Sequence, residues 1–253
     1  MRFASLGSGS KGNALLVQAS GTSILIDCGF SVRETERRLA RLSVLPEEID
    51  ALLLSHEHHD HSSGVFRFCK RHGIMPYMTK GSCRDVLCDP KDEVQLIDSH
   101  TMFRIGDLNI QPFPVPHDAN EPVQFVVSDQ RNSIGVLTDA GVVTPHIVSL
   151  LRSCDAIMLE CNHDLKMLGD SNYPAMLKRR IAGNFGHLSN DQAAGLLKKI
   201  GTERLQVVVA AHLSEQNNRP ELAIAAINTA FDQHRVKLCV ASQKDGTDWN
   251  QLD

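Results

Sequence analysis

The sequence predicts an α/β fold in one domain, with two facing sheets each covered by helices on its outer side. Three observations carry this. Short apolar runs bounded by Gly and Asn gather into two β-rich halves. Segments with near-helical apolar spacing flank each half, the pattern of layered α/β packing. No repeat, low-complexity linker or composition break divides residues 1–253, a length one domain can fill.

The first half opens with RFASLG, ALLVQA and SILIDC as strands. SVRETERRLARLS follows as a helix, with Val32, Leu39 and Leu42 near helical spacing and Ser31 as its cap. IDALLLS is the next strand, and SSGVFRFCKRHG a helix closed by Gly73. A second β-rich half is expected to begin near Val94 and run through MFRIGDLNIQPFPV, VQFVVSD and SIGVLTD. TPHIVSLLRS then reads as a helix with Pro145 in its first turn, and DAIMLEC as a strand. The last third alternates helix and strand through LSNDQAAGLLKKIG, LQVVVAAH, NRPELAIAAINTAFDQH and KLCVAS. Ser189 with Gln192 has capping-box spacing and Asn218 with Glu221 resembles it, so two helix starts are marked.

Composition narrows the function classes. Apolar residues make up 42% and charged residues 22%, ordinary for a soluble globular chain. No apolar run reaches a membrane span, and the start MRFASLGSGSKGN lacks the apolar stretch of a signal peptide. A cytoplasmic protein without a membrane partner is expected. Seven cysteines with no CxxC pair argue against a disulfide framework and a thiolate zinc site, so Cys28, Cys69, Cys154, Cys161 and Cys239 are expected as reduced thiols. The net charge of -4 gives no basic excess for nucleic acid. Clusters at Arg33, Arg37, Arg38 and Arg41, at Lys178, Arg179 and Arg180, and at Lys198 and Lys199 read as solvated helical faces. No residue pattern speaks to oligomeric state.

Directly after IDALLL stands SHEHHDH, four histidines and an aspartate within residues 55–61. It is either an imidazole-rich turn or half of a metal site. His56 and His58 are two apart, and Asp60 and His61 follow in the same turn, so one pair can serve one cation and the next pair a second. Neutral imidazole and carboxylate are donors that a borderline ion such as zinc accepts. His117, Asp139 and His212 each follow an apolar run, the strand edge where ligand sites of α/β folds collect.

In this order, His56, His58, Asp60, His61, His117, Asp139 and His212 resemble the HxHxDH…H…D…H signature of the metallo-β-lactamase superfamily, and the similarity covers nearly the whole chain. The resemblance implies an αββα four-layer sandwich with two divalent metal ions, zinc, manganese or iron. His56, His58 and His117 would hold one ion, Asp60, His61 and His212 the other, and Asp139 would bridge them. Water between two such ions is acidified toward neutrality, so a metal-bridged hydroxide and hydrolysis follow. Asp60, Glu160 and His187 are the expected catalytic residues. Asp27 is similar to an aspartate of the superfamily that supports the ligating histidines, although it could simply cap the turn before Gly29. Glu57 and His59 are expected to point away, and His72, His100, His146 and His234 to lie at the surface.

Three segments point toward a phosphate substrate. LGSGSKGN offers Ser8, Ser10, Lys11 and Asn13 as an anion nest, or as a plain hairpin turn. FGHLSNDQAA sets His187 ahead of a helix capped by Ser189, a place suited to phosphate and to proton donation. AHLSEQNNRPE supplies Ser214, Asn217 and Asn218 for phosphate or sugar oxygens.

With PVPHDA, TDAG and LECNHD, these segments look like the YycJ (WalJ) branch of the superfamily, which implies a metal-dependent phosphodiesterase, a 5′-to-3′ DNA exonuclease. Similarity to the ribonuclease Z branch implies that Glu160 pairs with His187 and keeps it protonated for the leaving oxygen. His163 and Asp164 are adjacent candidates for substrate contact. No long inserted arm is visible, which favours DNA over RNA, and a DNA groove would be local, built from Lys11, Lys178, Arg179 and Arg180. The rivals are a hydrolase of a small phosphodiester, thioester or lactone, and a metal-binding protein without catalysis. Against the latter, seven ligands shared by two ions leave room for water.

Overall fold

The computed structural model describes residues 1–86, 93–231 and 235–253. One sheet places β1 (Arg2–Gly7), β2 (Ala14–Ala19), β3 (Thr22–Ile26), β4 (Ala51–Leu53), β5 (Met75–Thr79) and β6 (Gln95–Ile97) side by side. The other runs from β7 (Phe103–Ile105) through β8 (Leu108–Pro114), β9 (Val123–Ser128), β10 (Ser133–Leu137), β11 (Ala156–Glu160) and β12 (Val207–Ala211) to β13 (Lys237–Val240). The short β14 (Asn250–Gln251) returns to the first sheet beside β1. Each sheet is antiparallel at one end and parallel at the other.

Strand alternation builds the layers. Ile24 and Ile26 of β3 pack with Phe125, Val136, Met158 and Val209 of the second sheet, and Leu25 faces the other way. In β12, Val207, Val209 and Ala211 point to the shared core while Val208 and Ala210 point outward. Side chains that alternate sides, apolar on both, require cover on both faces. The outer cover of the first sheet includes α1 (Val32–Arg41) and α3 (Val65–His72), through Leu39, Val65 and Phe68. On the second it comes from α5 (Pro145–Leu151), α8 (Asn190–Ile200) and α9 (Pro220–Ile227), through Ile147, Leu151, Leu196, Leu197 and Ile227. The expected αββα sandwich is therefore present.

The helix ends follow the sequence closely. Ser31 Oγ accepts from Glu34 N, Gly73 ends α3 in the left-handed region at φ 68°, and Ser189 and Gln192 form the capping box. Asn218 is a correction. The N-cap of α9 is Arg219, because Asn218 Oδ1 accepts from Arg219 N at 2.8 Å and from Asn190 Nδ2 at 2.9 Å.

The boundary near Val94 also moves, since β6 pairs parallel with β5 in the first sheet and the second begins at β7. The segments α2 (His59–Ser62), α4 (Lys80–Asp85), α6 (Leu165–Asp170), α7 (Ala175–Ile181), β5 and β14 were not read from the sequence. His234 lies outside the described residues. His72 is a further correction: it is half-buried, with Nε2 3.0 Å from Glu36 Oε1. No helix among the described residues is long and apolar enough to cross a membrane.

Candidate metal centre and its cleft

The C-terminal ends of strands from both sheets bring the ligand candidates together. After β3 the chain turns at Asp27, whose N–H donates to Leu53 O at 2.8 Å. After β4 come Ser55 and His56, and the single turn α2 then carries Asp60 and His61, closed by His61 N and Ser62 N on His58 O. Gly29 lets this turn approach, because a Cβ there would overlap the Asp60 carbonyl. From the second sheet, His117 follows β8, Asp139 follows β10, Glu160 ends β11 and His212 follows β12.

All seven predicted ligands converge. Donor atoms of His56, His58 and His117 lie within 4.8 Å of one another, as do those of Asp60, His61 and His212, and those of His56, His61 and Asp139. His56 and His212, from opposite ends of the chain, therefore belong to one connected cluster.

Hydrogen bonds assign the imidazole tautomers. His61 Nδ1 donates to Asp27 Oδ2 at 2.7 Å, which turns Nε2 inward to 3.1 Å from Asp139 Oδ2, where a cation would take the place of a proton. His117 Nδ1 donates to Gly186 O at 3.0 Å, and His212 Nδ1 to Glu160 Oε1 at 3.2 Å. Ser55 Oγ donates to Asp27 Oδ2 at 2.9 Å and lies 2.9 Å from His56 Nδ1, so it accepts the His56 proton. In each case the nitrogen away from the cluster is engaged and Nε2 is free to ligate, an arrangement that tunes a metal site. For His58 the inward atom is Nδ1, 3.1 Å from His56 Nε2 and 3.2 Å from His117 Nε2. Asp27 thus lies within hydrogen-bond distance of one candidate ligand, His61.

The electrostatics invite positive charge. Burial opposes ionisation of Asp139, yet His212 and His61 hold its carboxyl well below the usual range. Burial likewise opposes charging His61, but Asp139, Asp60 and Asp27 lift its pKa well above the ordinary value. Burial and the neighbouring His61 push His56 well below its ordinary value, which keeps it a neutral donor. Asp139 Oδ2 and His212 Nε2 are buried with no hydrogen-bond partner. Unpaired buried donors and acceptors of these types fit divalent cations, which would satisfy them.

Beside the cluster, His187 Nδ1 donates to Glu160 Oε1 at 2.8 Å and lies 3.2 Å from Asp139 Oδ1. Glu160 is fully buried, and its Oε2 accepts from Ala140 N and Leu188 N, each at 3.0 Å. Burial alone would lower the His187 pKa, but the charge of Glu160, then Asp139, raises it to about 9. A cavity of about 240 Å³ opens over the cluster, lined by His58, Asp60, Asp139, His187 and His212 on one side. Tyr173, Leu177, Arg180 and Ile181 also line it.

The expected substrate contacts divide. Ser10 and Ser214 line the cavity. Ser8 is buried, its Oγ accepting from His212 N at 2.8 Å, and Asn13 Nδ2 donates to Asp60 Oδ2 at 3.1 Å, so both brace ligands. Lys11 is exposed and paired with Glu215 at 2.6 Å. Ser189 and Asn218 are buried and committed to the local backbone, with Asn218 Nδ2 donating to Cys161 O at 2.6 Å, while the buried Asn217 turns its Nδ2 to Ser214 Oγ at 3.4 Å. His163 is buried off the cavity wall with neither ring nitrogen partnered. Polar residues in these loops face the chain because the turns leave backbone groups to satisfy.

Glu57 turns away, accepting from Asn120 N at 2.7 Å, and His59 is exposed. The sequence reading missed Asn162, whose Nδ2 donates to His212 O at 3.1 Å, and the wall formed by Tyr173, Leu177 and Ile181. The four-residue spacing of that wall was the available signal.

A four-layer sandwich with imidazoles and carboxylates converging at its strand edges, under an open cleft, defines a metal-dependent hydrolase. Residues 22–212 match the family described as the Beta-lactamase superfamily domain, and the chain belongs to it. It is 28% identical over 237 residues to Exodeoxyribonuclease YycJ of Bacillus anthracis, covering 92% of this chain and 90% of that one. It is 30% identical over 228 residues to Exodeoxyribonuclease WalJ of Streptococcus pneumoniae, covering 88% and 85%. Among solved structures, the metallo-beta-lactamase fold protein YhfI from Bacillus subtilis matches with a TM-score of 0.77 at 15% identity, over 99% of both chains. These findings bear out the resemblance to the superfamily and its YycJ branch.

Proposed function

We propose that the protein is a nuclease that hydrolyses DNA phosphodiester bonds from a 5′ end, acting as one domain with two divalent cations. The Glu160–His187 pair at the cavity carries the reading. A departing sugar alkoxide needs a proton, whereas a thiolate leaves without one, so a held imidazolium suits a phosphodiester better than a thioester. The names of the YycJ and WalJ relatives support the same class, and specify DNA.

His56, His58 and His117 would hold one cation, Asp60, His61 and His212 the other, with Asp139 shared. Zinc, manganese and iron all suit these donors. Bound cations supply Lewis acidity at a phosphoryl oxygen and lower the pKa of coordinated water.

The chain's own groups do the rest. Asp27, Ser55, the Gly186 carbonyl and Glu160 fix which nitrogen of each imidazole keeps its proton. Glu160 binds the His187 Nδ1 proton and so leaves Nε2–H for the departing oxygen. Ser10 and Ser214 offer hydroxyl donors to phosphate oxygens at the cavity. A cytoplasmic location agrees with the free thiols of Cys28, Cys69, Cys83, Cys154, Cys161 and Cys239.

The test is end-labelled linear DNA incubated with the protein and Mn²⁺ or Zn²⁺ beside a chelated control. Mononucleotide release from the 5′ end, abolished by chelator, is expected; metal-loaded protein that leaves the DNA intact overturns the reading. The cavity of about 240 Å³ and the net charge of -4 favour a small phosphodiester as the second reading. Cleavage of nucleic acid should slow steeply as salt rises, whereas turnover of a small diester should not.

A further inference from the structure

The segment 171–185 contains no buried residue, and α7 within it has none. A helix ordinarily turns its apolar stripe toward the core. Here Tyr173, just ahead of the helix, and Leu177 and Ile181 at four-residue spacing line the metal-centre cavity instead. Polar contacts hold the segment in place: Lys178 Nζ donates to Gly169 O at 2.6 Å, Arg180 Nε to Asp118 Oδ2 at 2.6 Å, and His187 N to Ile181 O at 2.9 Å. The stripe is therefore a fixed apolar wall, and no other aromatic ring among the described residues packs on Tyr173.

We infer that this wall is a nucleoside subsite, with Tyr173 stacking on the terminal base of the strand whose first phosphodiester lies at the metal centre. The inference rests on the nuclease reading and adds a residue that positions substrate.

Two features choose a nucleoside over an acyl chain. The wall begins with an aromatic ring, which stacks on any base, and its helix carries Lys178 and Arg179 beside it, cations suited to the phosphates that follow, with Arg180 paired to Asp118. An acyl chain would match Leu177 and Ile181 and make no use of that charge. The cavity of about 240 Å³ also has room for one nucleotide rather than several. Because Tyr173 is only half-buried and no residue of 171–185 is buried, truncating it removes a contact surface without opening the core.

The experiment compares two single-stranded DNAs with a hydrolysis-resistant phosphonate at the 5′-terminal linkage, one with an intact terminal base and one abasic. Binding is read by anisotropy of a 3′ fluorophore in the presence of Mn²⁺, and KM is measured on the cleavable counterparts. Wild-type protein should bind the abasic strand roughly 5- to 150-fold more weakly, the range of base–aromatic stacking. Tyr173→Ala should lose a similar factor on the intact strand and nothing further on the abasic one, and Tyr173→Phe should restore wild-type binding. Equal binding of the intact strand by wild type and Tyr173→Ala, or an equal loss on both strands, overturns the stacking role while cleavage by wild type upholds the nuclease reading. Wild-type protein that neither binds nor cleaves either strand refutes the nuclease reading itself.

Discussion

Replacing Asp27 by Asn tests whether a buried carboxylate sets the tautomer of His61. Asp27 Oδ1 accepts from Ser55 N at 2.8 Å, while Oδ2 accepts from Ser55 Oγ at 2.9 Å and His61 Nδ1 at 2.7 Å. Asn keeps the shape and tolerates the left-handed backbone at φ 62°, so the backbone is little disturbed. With Oδ1 still bound to Ser55 N, the new NH₂ faces His61 Nδ1. Two donors cannot share that contact, so the imidazole proton moves to Nε2, the atom that faces Asp139 and Asp60. The lone pair offered to a cation is then lost unless the tautomer is restored. Losing a partner of this kind weakens metal affinity about 10- to 100-fold, or about 1.4–2.7 kcal/mol. Competition against a chelator of known affinity, read by metal content after dialysis, measures it. Asp27→Asn with wild-type affinity would refute the tautomer argument; a variant equally unstable with and without metal would show that Asp27 serves the fold alone.

Other perturbations separate chemistry from scaffold. His187→Ala should lower kcat on DNA about 10²- to 10⁴-fold. Its metal content by mass spectrometry should stay that of wild type, and metal loss would count against a proton-donor role. Because its carboxylate neighbours raise the His187 pKa from 6.5 to about 9, the imidazolium persists through neutrality. Its charge interaction is complete below about pH 6.5 and disappears as pH rises through about 9, so kcat should fall on that basic limb. Glu160→Gln should move the limb to lower pH; an unmoved limb would refute the pairing. Gly29→Ala would drive a methyl into the Asp60 carbonyl and break its hydrogen bond from Asn13 N, destabilising the fold by about 1–3 kcal/mol and loosening Asp60 and His61. Urea melts with metal analysis would expose an error if this variant matched wild type.

The ligands were legible because their chemistry is narrow. Imidazoles and carboxylates right after apolar strands have few reasons to cluster, and the turn at residues 55–61 announced itself. Ser8, Asn13, Ser189, Asn217 and Asn218 were not separable from substrate contacts by type, since the groups that bind phosphate also satisfy turn backbone. The structure assigns Ser8, Asn13, Ser189 and Asn218 to bracing, as with Ser8 on the His212 backbone, and turns Asn217 to the Ser214 hydroxyl. The apolar wall was hidden for a different reason. Four-residue spacing marks a helical stripe but not what it faces, and Tyr173, Leu177 and Ile181 face a cleft where periodicity alone suggests core. β14, two residues long, has no period to read, and β6 carries nothing that says which sheet it joins.

The backbone shows how the fold divides its labour. Two of the four non-glycine residues with positive φ among the described residues are Asp27 at 62° and His212 at 53°, each just beyond a parallel strand. That conformation costs about 1–3 kcal/mol, less for aspartate, and it turns each side chain over the sheet edge toward the cluster. Fixed hydrogen bonds offset the strain: Asp27 N to Leu53 O at 2.8 Å, His212 N to Ser8 Oγ at 2.8 Å, and Asn162 Nδ2 to His212 O at 3.1 Å. The donor set is thus held in place by the same buried frame that holds the sheets, and a cation need not reorder it on arrival. The wall at residues 171–185 is tied to that frame by polar contacts and buries nothing. On the nuclease reading, changes along it should alter what the cleft receives while leaving the ligands where they are, so that the reaction would belong to the strand edges and the choice of substrate to the exposed helix.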